Sequence, residues 1–213
     1  MYKYVLFDMD GTVLDTLQDL TDAVNVTISK FGYPEKQGSE IAHFLGNGAR
    51  HLIAAATGKE DGDGEVDIIL KEYLPYYNAH CLDKTGPYPG IIELMHELKA
   101  KGVKMAVISN KPDAAVQDLS AELFPELLEL SVGETADVKR KPAPDMVLKA
   151  MEELGAESDE CVYVGDTEVD LATARNAGLP CIAVSWGFRS KEELIAAGAE
   201  TIIDRPQEII DFC

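Results

Sequence analysis

The chain has 213 residues, 46% of them hydrophobic and 27% charged, a composition that belongs to folded globular proteins and not to disordered ones. Acidic residues outnumber basic ones by 38 to 19, and the net charge of −19 argues against nucleic acid or an anionic membrane surface as a partner. No apolar run approaches the roughly 20 residues that span a bilayer, the cysteines form no CxxC pair, and the amino terminus shows no leader-like apolar stretch, so a reduced, cytoplasmic protein is expected.

In chain order, the first element is a short apolar run, Tyr4–Phe7, continuous in the manner of a strand buried on both faces. From about Leu14 to Thr85 the pattern turns helical, with no convincing strand. Helices are expected over Asp15–Phe31, Ser39–Thr57 and Val66–Ala79, separated by Gly32-Tyr33-Pro34 and the polar run Gly58–Gly64. The segment Gly86-Pro87-Tyr88-Pro89-Gly90 then carries the chain back. Ile91, Leu94, Met95 and Leu98 share one helical face that Gly102 ends, and a strand at Val103–Ile108 follows. Next come a less apolar strand at Leu127–Val132, a helix over Ala143–Leu154 and a strand at Cys161–Val164. A helix over Glu168–Ala177, closed by Gly178, and strands at Cys181–Val184 and Thr201–Ile203 complete the series. Such alternation predicts an α/β fold, a doubly wound, mostly parallel sheet. The expected organisation is a core of residues 1–14 and 86–213 with an all-helical cap, residues 15–85, inserted after the first strand.

Ligands of an open α/β sheet bind beyond the carboxyl ends of its strands, so the polar residues after each apolar run carry the chemistry. The first run exits into Asp8-Met9-Asp10-Gly11-Thr12, which by itself reads as a turn closed by Asp and Gly. Ser109-Asn110-Lys111-Pro112 follows the run ending at Ile108, and by itself suits a helix cap. Gly165-Asp166-Thr167-Glu168-Val169-Asp170 holds more acids than a cap requires. Lys141 precedes a Pro-started helix, where a lone lysine normally faces solvent. The conjunction is the signal: Asp8, Ser109, Asp166 and Lys141 would meet on one edge of one sheet. Clustered carboxylates repel unless a cation sits among them, and magnesium suits such a place because it accepts carboxylates, water and phosphate oxygens together.

With these four motifs in this order, the chain resembles the haloacid dehalogenase superfamily, and within it the phosphatases with a small helical cap that are phosphoglycolate phosphatase-like. The resemblance covers the whole length, the insertion included. It implies a Rossmann-like core and a Mg2+-dependent phosphatase acting on a small phosphorylated metabolite through a phospho-aspartyl intermediate. It implies Asp8 as the nucleophile, a role for a carboxylate already ionised at neutral pH. Asp10 is implied as the acid toward the leaving alcohol and then the base toward water. Lys141 would neutralise the transferring charge, and Gly11, Thr12, Ser109 and Asn110 would bind the phosphoryl group. Asp8, Asp10 (through its backbone carbonyl), Asp166 and Asp170 are implied at the metal, Asp170 through water or as support. Phosphonate hydrolases of the superfamily resemble this motif with alanine in place of Asp10, so the acid here points to phosphate esters.

Phe44-Leu45-Gly46-Asn47-Gly48-Ala49-Arg50 resembles the cap loop of phosphoglycolate phosphatases; without that resemblance it reads as a Gly-rich helix break. Gly46, Asn47 and Gly48 are the expected substrate-facing residues, and Arg50 or His51 the expected partner of a substrate carboxylate, although an exposed helix position accounts for either. Ser185-Trp186-Gly187-Phe188-Arg189 also resembles that branch, with Trp186 either lining the cleft or packing at its rim. β-Phosphoglucomutase-type mutases and pyrophosphatases share the scaffold and remain open. A receiver-like regulatory domain lacks both the second acid and the cap. Oligomeric state has no signature in the sequence.

Overall fold

The computed structural model describes all 213 residues. Tyr4–Phe7 forms β1, and Val5, Leu6 and Phe7 are fully buried because both faces of the strand are covered. Val5 and Phe7 point into one core cluster and Leu6 into another, as strand alternation requires. The chain then forms a short strand β2 (Leu14–Asp15) and four helices, α1 (Leu17–Ser29), α2 (Gly38–Phe44), α3 (Gly48–Thr57) and α4 (Gly64–His80). A second short strand, β3 (Gly86–Pro87), pairs antiparallel with β2. There follow α5 (Ile91–Ala100), β4 (Lys104–Pro112), α6 (Asp113–Leu123), β5 (Leu130–Glu134), α7 (Asp145–Leu154) and β6 (Cys161–Gly165). The chain finishes with α8 (Glu168–Ala177), β7 (Cys181–Val184), α9 (Lys191–Ala196) and β8 (Thr201–Ile203).

Six strands form one parallel sheet in the order β5-β4-β1-β6-β7-β8. From β1 the sheet grows to β4 and β5 on one side, then the chain crosses back to β6 on the other. That reversal opens a crevice at the carboxyl edge of β4, β1 and β6.

The structure redraws several expected boundaries. The helix expected over Ser39–Thr57 is two, α2 and α3, because Gly46 and Gly48 adopt φ of 109° and 82° and turn the chain between them. The strand expected to end at Ile108 runs on to Pro112, so Ser109 is a strand residue and not a cap. The one expected at Leu127–Val132 starts at Leu130, since Pro125 and Glu126, at φ 61°, are still turning. The helix expected from Ala143 begins at Asp145. Nothing in the sequence signals the β2–β3 ribbon, as two residues per strand leave no periodicity. It joins both crossings of the helical insertion. Buried Asp19 of α1 reinforces it: one carboxylate oxygen accepts from the Lys84 N–H at 2.9 Å, the Thr85 N–H at 2.8 Å and the Thr85 hydroxyl at 2.8 Å. No helix is long and apolar enough to cross a membrane.

Candidate active site

The exits of β1 and β6 deliver Asp8 and Asp166, and the last residues of β4 deliver Ser109, to one edge of the sheet. Asp8 is buried, and its N–H donates to Val164 O at 2.8 Å, fixing the β1 exit against β6. Its Oδ1 accepts from the Met9 N–H at 2.7 Å and pairs with Lys141 Nζ at 2.7 Å, while Oδ2 has no protein donor. Lys141 also donates to Asp170 Oδ1 at 2.8 Å and to the Tyr163 hydroxyl at 3.1 Å. Burial works against its ammonium, but Asp170 and Asp8 outweigh burial and hold its pKa well above the ordinary lysine value. Asn110 fixes the Lys141 backbone: its Oδ1 accepts from the Lys141 N–H at 2.8 Å and its Nδ2 donates to Lys141 O at 2.9 Å.

Asp166 is gripped from two sides, by the Thr12 hydroxyl at 2.8 Å and the Phe188 N–H at 2.8 Å. Asp170 caps its own helix, Oδ2 accepting from the Thr167 N–H at 3.1 Å and the Thr167 hydroxyl at 2.7 Å. Asp8, Asp166 and Asp170 bring carboxylate oxygens within 4.8 Å of one another. Burial, and then Asp170, pushes the Asp166 carboxyl up to about 7. Burial and Asp170 also hold Asp8 well above the carboxylate range, with Lys141 opposing. Three crowded anions with an all-oxygen donor set fit a hard divalent cation such as Mg2+. Gly11 permits this packing: it sits at φ 83°, and a Cβ there would lie 2.3 Å from Asp166 Oδ2.

The Asp10 side chain does not join these carboxylates. Its Oδ1 pairs with Lys111 Nζ at 2.7 Å, so the expected place of Asp10 at the metal does not extend to its carboxylate. Asp10 instead borders a half-open cavity of about 50 Å³, with the sheet edge below and α1, α3 and α4 above. Asp8, Ser109, Asn110 and Lys141 line its floor, and Gly46, Gly48, Leu52 and Tyr77 its roof. Asn110 Nδ2 donates across the gap to Gly46 O at 2.8 Å.

Arg50 and Asn47 are not brought to this cavity. The Arg50 guanidinium donates to Asp61 O and pairs with Asp67, and His51 Nδ1 lies 3.1 Å from Asp61, so acids of the helical insertion hold both. Asn47 stands at the start of α3, outside the lining. Trp186 packs at the rim, its Nε1 donating to Thr12 O at 3.0 Å. Three residues went unassigned by sequence reasoning: Lys111, Tyr77 and Arg189. Lys111 did leave a signal, because in an extended strand it faces the same side as Ser109. Tyr77 left none, and Arg189 only its place in the Ser185–Arg189 motif, since their roles arise from contacts between distant segments.

Known proteins resemble the chain over nearly its whole length. The profile of the haloacid dehalogenase-like hydrolases matches residues 5–184. The N-acetylmuramic acid 6-phosphate phosphatase of Pseudomonas aeruginosa is 33% identical over 98% of this chain and 93% of its own length. The phosphoglycolate phosphatase of Rhodospirillum rubrum is 32% identical over 96% of this chain and 88% of its own. The crystal structure of a candidate phosphoglycolate phosphatase from Lactobacillus delbrueckii subsp. bulgaricus superposes with a TM-score of 0.93 at 41% identity, covering 99% of this chain and 98% of that one. The chain belongs to the haloacid dehalogenase-like hydrolases, and its kinship within that family is with the phosphatases.

Proposed function

We propose that this phosphatase hydrolyses small phosphate monoesters through a phospho-aspartyl intermediate on Asp8, with Mg2+ held by Asp8, Asp166 and the Asp10 carbonyl, Asp170 in support, and residues 15–85 acting as a cap. The observation that carries the reading is the buried constellation itself: Lys141 Nζ lies 2.7 Å from Asp8, and the three carboxylates lie within 4.8 Å of one another.

Asp8 Oδ2, clear of protein donors, attacks phosphorus as the ester P–O bond breaks. Lys141 holds Oδ1 and balances the negative charge in transit. Ser109 and the Asp10 N–H are the donors left for the phosphoryl oxygens, because the Gly11 N–H donates to Leu14 O at 2.9 Å, the Thr12 N–H to Met9 O at 3.3 Å and the Thr12 hydroxyl to Asp166, so the expected phosphate contacts of Gly11 and Thr12 are not free to form. Asp10 gives its proton to the departing alkoxide. Water then attacks the phosphorus of the acyl phosphate, Asp10 takes up its proton, and inorganic phosphate leaves as the Asp8 carboxylate is restored. Bound Mg2+ supplies Lewis-acid neutralisation of the phosphoryl oxygens.

For the substrate we propose 2-phosphoglycolate or an ester of its size. A narrow cavity roofed by Gly46, Gly48 and Leu52 supports a small ester. N-acetylmuramic acid 6-phosphate, named for the Pseudomonas aeruginosa relative, is much bulkier. Phosphate release should be measured from 2-phosphoglycolate, pyrophosphate, β-glucose 1-phosphate and N-acetylmuramic acid 6-phosphate, with Mg2+ and with EDTA. The expected result is Mg2+-dependent release, greatest from 2-phosphoglycolate, and a loss of about 10⁴-fold or more in kcat for Asp8→Asn. Undiminished turnover by Asp8→Asn would overturn the mechanism, and a preference for the bulky sugar ester would overturn the substrate.

A further inference from the structure

Lys111 is a buried lysine outside the Lys141 cluster, and its surroundings give it a definite task. Its Nζ lies 2.7 Å from Asp10 Oδ1 and donates to the Tyr77 hydroxyl at 2.6 Å, with the Tyr77 ring centroid 4.7 Å away. Both Lys111 and Tyr77 are buried. Buried ammonium groups persist only with partners. One partner here is the core acid and the other comes from α4 of the helical insertion. No other side chain hydrogen-bonds the Asp10 carboxylate. Tyr77 is in turn held rigid by Tyr73, the two rings stacked 5.6 Å apart at 6°.

We infer that Lys111 is a positioning residue that aims the Asp10 carboxylate at the leaving group, and that Tyr77 places Lys111, so that the acid is aligned when the helical insertion is seated. The inference rests on the acid–base role proposed above for Asp10. Lys111 holds Oδ1 and leaves Oδ2 without a protein donor. Withdrawal of α4 would remove Tyr77, half of the pair that fixes the ammonium, and the acid would lose its aim. A buried ion pair of merely structural purpose would slow every substrate alike. A positioning pair slows only those whose leaving group needs a proton.

The test compares 2-phosphoglycolate, which releases an alkoxide, with acetyl phosphate, a molecule of similar size whose acetate departs unprotonated. The quantity to read is kcat/KM, which covers the steps through phosphoryl transfer to Asp8. Lys111→Met should lower it about 30-fold for 2-phosphoglycolate and less than about 3-fold for acetyl phosphate. Tyr77→Phe keeps the ring and removes the hydroxyl, and should lower the first value about 5-fold and the second by less than about 2-fold. Equal losses on the two esters, or no loss on either, would overturn the inference, whatever the folded state of the variants. Asp10→Asn serves as the control for the underlying reading. If it spares acetyl phosphate selectively while Lys111→Met does not, the positioning role alone falls. If it shows no selectivity, the acid role of Asp10 falls and takes the inference with it.

Discussion

The strongest electrostatic demand in the molecule falls on single residues. Asp166 is fully buried beside Asp170, and its carboxyl is raised from 3.8 to about 7. A carboxyl with a raised pKa binds more protons folded than unfolded, so its contribution to stability is present below about pH 4 and is lost as pH rises through about 7. Mg2+ bound among the carboxylates should offset that loss. In EDTA, urea denaturation should therefore show lower stability at about pH 8 than at about pH 5.5, and added Mg2+ should stabilise by about 1–3 kcal/mol more at the higher pH. Equal Mg2+ increments at the two pH values would show that Asp166 does not take part in this linkage. At this scale the sequence was legible wherever a polar side chain directly follows an apolar run, as Asp8, Ser109 and Asp166 do. It was less legible where a side chain had a choice of partners. Arg50 looked available to a substrate, but Asp61 and Asp67 claim it, and no local pattern reveals that competition.

At the scale of elements, the join between the helical insertion and the core depends on a helix end. The carboxyl terminus of α2 leaves backbone carbonyls without intrahelical partners. Buried Arg189, from the loop after β7, supplies the donors: Nη1 to Ala42 O at 2.7 Å and Nη2 to Leu45 O at 3.1 Å, with Glu168 pairing its Nε at 2.8 Å. Arg189→Ala should cost about 1–3 kcal/mol, because it leaves Leu45 O without a donor and Ala42 O with only the long bond from the Leu45 N–H at 3.4 Å, while exposed Glu168 turns to water. Lysine should recover little of this, lacking the planar fork. Amide exchange should quicken in α2 and residues 45–47 well before it does in α5; uniform quickening would mean that the contact supports the whole fold and not this joint. The strands of the sheet were readable beforehand because continuous apolar runs report burial on both faces. The ribbon of β2 and β3 and the Arg189 contacts were not, because both are made by pairing across long stretches of chain.

Over the whole molecule, topology and charge together would select the substrate proposed above. The switch in strand order opens the crevice beneath the insertion, and the β2–β3 ribbon sets that insertion above it. A protein of net charge −19 repels an anionic ester, so attraction must come from inside, from Lys141 and the Mg2+ proposed beside it. With charge supplied at the floor, discrimination falls to the roof, where Leu45, Leu52 and Tyr73 are apolar and the space is about 50 Å³. Size is then the criterion, and kcat/KM for 2-phosphoglycolate should exceed that for a 6-phosphorylated sugar by about 100-fold. Leu52→Ala trims the roof without touching a charged group, at about 2–4 kcal/mol of stability. If the roof acts as a gauge, that variant should narrow the ratio by about 5-fold or more, through faster turnover of the sugar ester. If the ratio stays fixed while stability falls, the insertion must swing clear of its substrate before chemistry, and the cavity volume would then set no limit on what the enzyme accepts.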